Sequence, residues 1–217
     1  MRIPLAKYGV PQIGLFGGVS LAGAAVMVFF AWYLTPLFVI AFLLVIYFFR
    51  DPSRRIPEAP GVLVSPADGK VVELGQTEED AFLHTRVHKI AIFMSPLDVH
   101  VNRVPCDGRV ETLVHQPGRY HNAASEAASR ENEAMAMVLA DVEGRTRILV
   151  RQVAGVMARR IVCAAAEGDR LTRGRRYGMI KFGSRLEVFV PVEAAFEPAV
   201  RMGEPVRGGE TVLGRFR

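Results

Sequence analysis

One long stretch of this sequence lacks charge: between Ile13 and Phe49 there is no Asp, Glu, Lys or Arg. That gap excludes an ordinary solvated surface segment, since ~20 apolar residues already suffice to cross a bilayer as a helix. It is 37 residues long, and a single helix of that length would run ~55 Å, far beyond the hydrocarbon core. Thr35-Pro36 offers a break, because the residue before a proline avoids the helical region. The expectation is two short apolar helices, roughly 13–34 and 37–49, forming a hairpin or a re-entrant pair. A cleaved leader fits less well. Ala22-Gly23-Ala24-Ala25 supplies small residues for a cleavage site, but the apolar run continues for two dozen positions beyond them.

Cysteine is scarce as well. Cys106 and Cys163 are the only two, and their spacing excludes a redox pair or a zinc knuckle. Both sit beside apolar residues and read as reduced, largely buried thiols, and no metal cluster is visible. An excess of one charge is also missing from most of the chain. Residues 1–50 hold three basic and no acidic residues, which leaves 24 basic against 22 acidic in 51–217. The high pI of 9.6 is therefore no sign of nucleic-acid binding. Arg2 and Lys7 precede the apolar run and Arg50, Arg54 and Arg55 follow it, which suits a hairpin with both ends in the cytoplasm, next to an anionic membrane surface.

The rest divides by composition. Residues 1–50 read as the anchor. Residues 51–60 carry three prolines and several charges and read as a linker on the membrane surface. Residues 61–217 read as a β-rich domain, with short strand candidates at 61–64, 70–74, 89–94, 109–114, 136–139, 147–153, 161–165, 179–182 and 186–191. The best helical pattern beyond the anchor is 123–133, with a second short one around 154–159. Residues 199–214, AVRMGEPVRGGETVLG, resemble the end of a biotinyl or lipoyl carrier domain, with Gly203, Gly208 and Gly209 at positive-φ turn positions. The segment 64–72 resembles the opening strand and turn of such a domain. The fold expected is thus mainly β, a sandwich of short strands with a carrier-like half and an N-terminal apolar helical hairpin.

The segment that carries chemistry is Gly178-Met179-Ile180-Lys181-Phe182-Gly183-Ser184-Arg185. A Gly-Ser pair by itself is most simply a turn. Its setting, between two apolar strands and about 30 residues before the last one, resembles the processing site of short-form phosphatidylserine decarboxylases. The resemblance extends through Phe48-Phe49-Arg50-Asp51-Pro52, Val64-Ser65-Pro66-Ala67-Asp68-Gly69-Lys70, the run from Phe93 to Arg103 (FMSPLDVHVNR), Glu131-Asn132-Glu133 and AGVMARRIV at 154–162. Several blocks in the same order are a far stronger signal than any one of them.

The resemblance implies an enzyme that makes its own cofactor. The chain would be cut between Gly183 and Ser184, giving 1–183 and 184–217, which stay together as a heterodimer. Ser184 would become a pyruvoyl group that forms a Schiff base with phosphatidylserine and yields phosphatidylethanolamine. It further implies a catalytic domain on the cytoplasmic side of the cell membrane, Asp68 in the self-cleavage triad, and His100 in cleavage, decarboxylation or both. Higher oligomers stay open. Each residue also has a plainer reading: Asp68 as a turn aspartate before glycine, His100 as a strand histidine. Longer relatives have a second histidine three positions on, where this chain has Arg103, which cannot serve as a base. That leaves His100, or another such as His88 or His121, for the triad. Arg159 and Arg160 could hold a lipid phosphate or be a solvated pair. Two other functions compete: a non-enzymatic membrane adaptor or carrier subunit with a lipoyl-like domain, and a pyruvoyl decarboxylase of a soluble amino acid. Lys70 and Lys181 are poorly placed for a carrier's modified lysine, and a soluble substrate gives no reason for the apolar anchor.

Overall fold

The computed structural model describes residues 5–123, 125–141, 146–156, 161–181 and 183–217. The chain forms two compact units, Met1–Ser53 and Arg54–Arg217.

The first unit is a helical hairpin. Its first apolar helical run, Lys7–Phe30, has 24 residues and is long and apolar enough to cross a membrane; the second, Trp32–Phe48, is shorter. The break falls at Ala31, in a conformation that is neither helical nor extended (φ −157°, ψ 66°), rather than at Thr35-Pro36. Thr35 is itself helical, and Pro36 lies in the first turn of the second helix, where its missing N–H costs no hydrogen bond. The helices pack closely: a Cβ at Gly23 would lie 2.4 Å from the Phe38 ring. The hairpin closes on itself, since the Ala6 amide donates to the Phe49 carbonyl (2.8 Å) and Leu5 bridges Arg50. Both ends of the apolar hairpin therefore lie together, with Lys7 and Arg50 over tyrosine rings there.

The second unit is mainly β. Its strands are β1 (Val62–Val64), β2 (Gly69–Glu79), β3 (Thr85–Met94), β4 (Val101–Arg103) and β5 (Gly108–Gln116). They continue with β6 (Ala134–Ala140), β7 (Arg147–Val153), β8 (Ile161–Cys163), β9 (Arg170–Leu171) and β10 (Arg176–Ile180). The last are β11 (Ser184–Pro191), β12 (Phe196–Pro198), β13 (Pro205–Val206) and β14 (Val212–Phe216). They form an eight-stranded sheet in the order β13-β2-β3-β11-β7-β6-β5-β9 and two three-stranded sheets, β1-β14-β12 and β4-β10-β8. One apolar core draws Ile90, Ile92 and Val188 from the large sheet, Leu63 and Leu213 from one small sheet, and Tyr177 and Ile180 from the other.

Several expected elements change length. β2 and β3 extend into one long hairpin, because the Glu79 carboxylate accepts the amides of Ala81, Phe82 and Leu83 and so closes its turn. The helix expected over 123–133 contracts to Glu126–Glu131, capped by the Ser125 hydroxyl. The short helix around 154–159 falls partly outside the described residues. The opening and closing segments of the unit do pair, β1 with β14 and β2 with β13. Of the three turn glycines, Gly203 and Gly209 take positive φ. Gly208 does not: it is small because its backbone stands against Ala67, and its amide donates to Asp68.

Candidate functional site

The site forms where β3 ends and β11 begins. Ser184 is paired with Met94 across that junction, is fully buried, and its hydroxyl donates to the Met94 sulfur at 3.3 Å. Gly183, just before it, has φ +61°, in the left-handed region. A Cβ there would meet nothing within 4 Å, so glycine is required by backbone conformation and not by lack of room. β11 lies between β3 and β7; Ser184 pairs with β3, and the pairing with β7 begins at the next residue, Arg185.

His100 precedes β4 and is also fully buried. The Ser95–Asp98 turn that delivers it is closed by the Asp98 carboxylate accepting the Ser95 amide (2.7 Å). His100 Nδ1 lies 2.9 Å from the Asp98 carbonyl. A carbonyl only accepts, so in the neutral ring Nδ1 carries the hydrogen and Nε2 the lone pair. Two residues on, the Asn102 amide reaches the same Met94 sulfur (3.8 Å) and accepts from Gln152 Nε2 (2.8 Å). Arg103, in place of the second histidine, is buried and donates to the Gly174 carbonyl (3.0 Å). Of the other histidines considered, His88 pairs with Val190, six strand residues from Met94, or ~20 Å along the sheet. Burial and the neighbouring Arg86 cation lower its pKa. His121 stands in a loop on Glu131 (3.1 Å).

Asp68 lies in the turn between β1 and β2. Gly69 presses this turn against the end of β3, where an added Cβ would be 2.1 Å from the Phe93 carbonyl. Both carboxylate oxygens are engaged: Oδ2 by Arg54 (2.6 Å) and Oδ1 by the Gly208 amide (2.8 Å). Ser184, the strand after His100 and the turn of Asp68 thus converge on Phe93 and Met94 from three separate parts of the chain. Arg159 and Arg160 lie outside the described residues.

The other face of β11 holds a group that sequence reasoning missed. Glu187 is fully buried and Arg185 nearly so. Glu187 accepts from Arg151 (2.6 and 2.9 Å) and Arg185 (2.7 Å), with Lys89 at 3.6 Å. Glu73 closes the network onto Arg185 and Lys89. Burial alone would raise the Glu187 carboxyl, but Arg151, Lys89 and Arg185 outweigh it and hold it below its ordinary value. The only signal in the sequence was charge at alternate positions of an apolar strand, a pattern that ordinarily marks a solvated face. Asn102 and Gln152 gave no signal, because their partners lie on other strands.

Both cysteines are free. Burial, with Asp107 and Asp141 adding, pushes the Cys106 thiol up to about 12, and burial raises that of Cys163; neither is poised as a nucleophile. Among the described residues, no three His, Cys, Asp or Glu side chains are grouped to hold a metal ion.

A family model described as phosphatidylserine decarboxylase matches residues 41–214. The chain is 40% identical over 215 residues to a protein of Desulfotalea psychrophila, covering 99% of this chain and 98% of that one. It is 43% identical over 205 residues to one of Oleidesulfovibrio alaskensis, covering 94% and 91%. It is 43% identical over 212 residues to one of Syntrophotalea carbinolica, covering 97% and 96%. All three relatives are named phosphatidylserine decarboxylase proenzyme. On the family match and these near full-length identities, the chain belongs to the phosphatidylserine decarboxylase family.

Proposed function

We propose that this chain decarboxylates phosphatidylserine to phosphatidylethanolamine with a pyruvoyl group that it makes by cutting itself between Gly183 and Ser184. The observation that carries the reading is the junction itself: a buried serine at the head of a central strand, preceded by a left-handed glycine. In the cut, Ser184 Oγ attacks the Gly183 carbonyl carbon, the Gly183–Ser184 amide bond breaks, and the hydroxyl proton passes to the freed amine. The resulting ester is lost by elimination: the Ser184 Cα proton leaves, the Cβ–O bond breaks, and Gly183 departs as a carboxylate. Water then replaces the nitrogen, which leaves as ammonia. No oxidant is needed.

His100 supplies the base in this reading, through the Nε2 lone pair that its Nδ1–H contact leaves. Asp68 holds its turn against the end of β3 while tied to Arg54 and Gly208. A pyruvoyl group formed at Ser184 would supply a carbonyl for the substrate amine and a sink for the electron pair left when carbon dioxide departs. His100 then returns a proton to the substrate carbon. Arg159 and Arg160 are assigned to the phosphate on their chemistry alone. The fragments 1–183 and 184–217 stay together because β11 is hydrogen-bonded along both edges to strands of the larger one. The hairpin holds the enzyme at the membrane, with the basic ends, and hence the catalytic unit, on the cytoplasmic side.

Intact-mass measurement tests the reading: the purified protein should contain a 184–217 fragment with a pyruvoyl terminus, and Ser184→Ala should abolish both cleavage and carbon dioxide release. An active preparation of uncut chain would sink it, and an inactive uncut one would favour a carrier or adaptor. Asp68→Asn should accumulate precursor. His100→Ala should fail in cleavage, in turnover, or in both; normal behaviour in both assays would remove it from the mechanism.

A further inference from the structure

Self-cleavage asks two things of the scissile bond: a hydroxyl that can be activated and a carbonyl held still for attack. Ser184 and His100 concern the hydroxyl and its base. The carbonyl has its own surroundings. The Gly183 carbonyl oxygen lies against the backbone of Gly155 so closely that a Cβ at 155 would stand 2.2 Å from it and 3.1 Å from its carbon. The Ala123 methyl lies 3.1 Å from the same point. At Gly183 glycine serves conformation; at Gly155 it serves approach, because any side chain would drive the scissile carbonyl away.

What keeps Gly155 there is Asn132. Its side chain is buried and joins two segments that do not otherwise follow one another in the chain. Nδ2 donates to the Ala154 carbonyl (2.7 Å) and the His121 carbonyl (2.9 Å), and Oδ1 accepts the His121 amide (2.7 Å). The Ala154 amide is also taken, by the Glu133 carbonyl (2.9 Å). The segment before Gly155 is therefore fixed on both of its polar groups, and the loop that carries Ala123 is fixed two residues upstream.

We infer that Asn132 and Gly155 position the Gly183 carbonyl for attack by Ser184, with Gly155 as its backing surface and Asn132 as the bracket. This rests on the self-cleavage reading. Attack of Oγ on the preceding carbonyl closes a five-membered ring, which demands a defined rotation of that carbonyl relative to the Ser184 side chain. A wall on the oxygen side restricts that rotation. After cleavage Gly183 is a chain end, and the same wall has no bond left to orient. The inference therefore separates two steps that a general loss of structure would damage together.

The test is a time course of precursor cleavage beside carbon dioxide release normalised to the pyruvoyl content of the same sample, in the full-length chain. Gly155→Ala and Asn132→Asp should each slow cleavage tenfold or more. The loss in cleavage should exceed the loss in turnover per pyruvoyl at least tenfold. The pH profile of cleavage by Gly155→Ala should keep its shape, since that change adds and removes no titratable group. Hydroxylamine should release no extra fragment from the uncut variant, because the block precedes the ester. If Gly155→Ala does not fold, Asn132→Ser, which keeps a small polar group, decides. Normal cleavage in the variants overturns the inference, as does an equal fall in both steps or an accumulation of hydroxylamine-sensitive ester. An uncut wild-type chain would instead sink the self-cleavage reading itself.

Discussion

β11 has two buried faces of opposite chemistry. Ser184, Leu186, Val188 and Val190 turn towards one side, where Leu186 and Val188 pack with Ile92 and Val150 in the main core. Arg185 and Glu187 turn to the other side, where their partners Lys89, Arg151 and Glu73 come from three neighbouring strands. An apolar face gains from burial in proportion to its area and accepts small changes of shape. A buried ionic face is stable only while each charge keeps its partner. The face with Ser184 is thus the tolerant one, and the face behind it is the one that a single deletion breaks. In the proposed cut enzyme, every ion pair between β11 and the strands beside it would also join the small fragment to the large one.

The largest expected effect lies on the ionic face. Glu187→Gln removes the one carboxylate that Arg151, Arg185 and Lys89 share and leaves Glu73, which reaches only Arg185 and Lys89, to face three largely buried cations. Such a deletion costs about 3–5 kcal/mol. Chemical denaturation of the Ser184→Ala background, where the proposed cut cannot occur, measures this without interference from cleavage. A loss under ~1 kcal/mol would mean that water or a shifted side chain replaces the carboxylate, and the contrast between the faces would be much weaker.

This contrast marks the limit of what the sequence conveys. The strand at 186–191 was legible from its apolar run, and Ser184 stood out as a candidate from the motif around it. Asp68 and His100 stood out as candidates because each sits in a compact local motif, that before His100 closed by Asp98 and that of Asp68 set against β3 at Gly69. The hairpin followed from the missing charges. Its break at Ala31 did not, because Ala31 is neither proline nor glycine and nothing local announces a non-helical residue there. The burial of Glu187 was hidden for a different reason. Alternation reports only that the two faces of a strand differ; which face meets solvent depends on what other strands bring, and Lys89 and Arg151 are remote in sequence. Asn132 was legible as part of a block, but its bond to Ala154 crosses 22 residues and a pair of strands.

On the apolar face a smaller effect is expected. Val188→Ala in the same background removes a buried branched side chain from between Ile90 and Val150, its partners across the sheet. Complete burial of such a side chain contributes ~1.5–3 kcal/mol, and a core that closes slightly around the gap recovers part of it. A destabilisation near 2 kcal/mol would keep the two faces in the order argued. A value above that of Glu187→Gln would reverse it, and would identify the apolar packing as the main tie between the fragments.

The smallest effect is the most specific to the ionic face. Arg151, Lys89 and Arg185 hold the Glu187 carboxyl below its ordinary value despite its burial. A carboxyl with a depressed native pKa stabilises the fold fully above its unfolded-state pKa, about 4.3, and loses that contribution as pH falls through the native value. Between pH 7 and 5 the stability curves of the uncut Ser184→Ala chain with and without Glu187→Gln should run parallel. Below about pH 4.3 they should converge, because acid protonates Glu187 and makes the native residue resemble glutamine. Each pH unit of depression accounts for about 1.4 kcal/mol of that convergence. Measuring both chains is what isolates this carboxylate, since every other acidic group titrates in each and cancels in the difference. Parallel curves down to pH 3 would mean that Glu187 has the same pKa folded and unfolded, so that the three cations would only cancel its burial instead of outweighing it. Convergence already between pH 7 and 5 would mean that burial outweighs the three cations and the shift has the opposite sign.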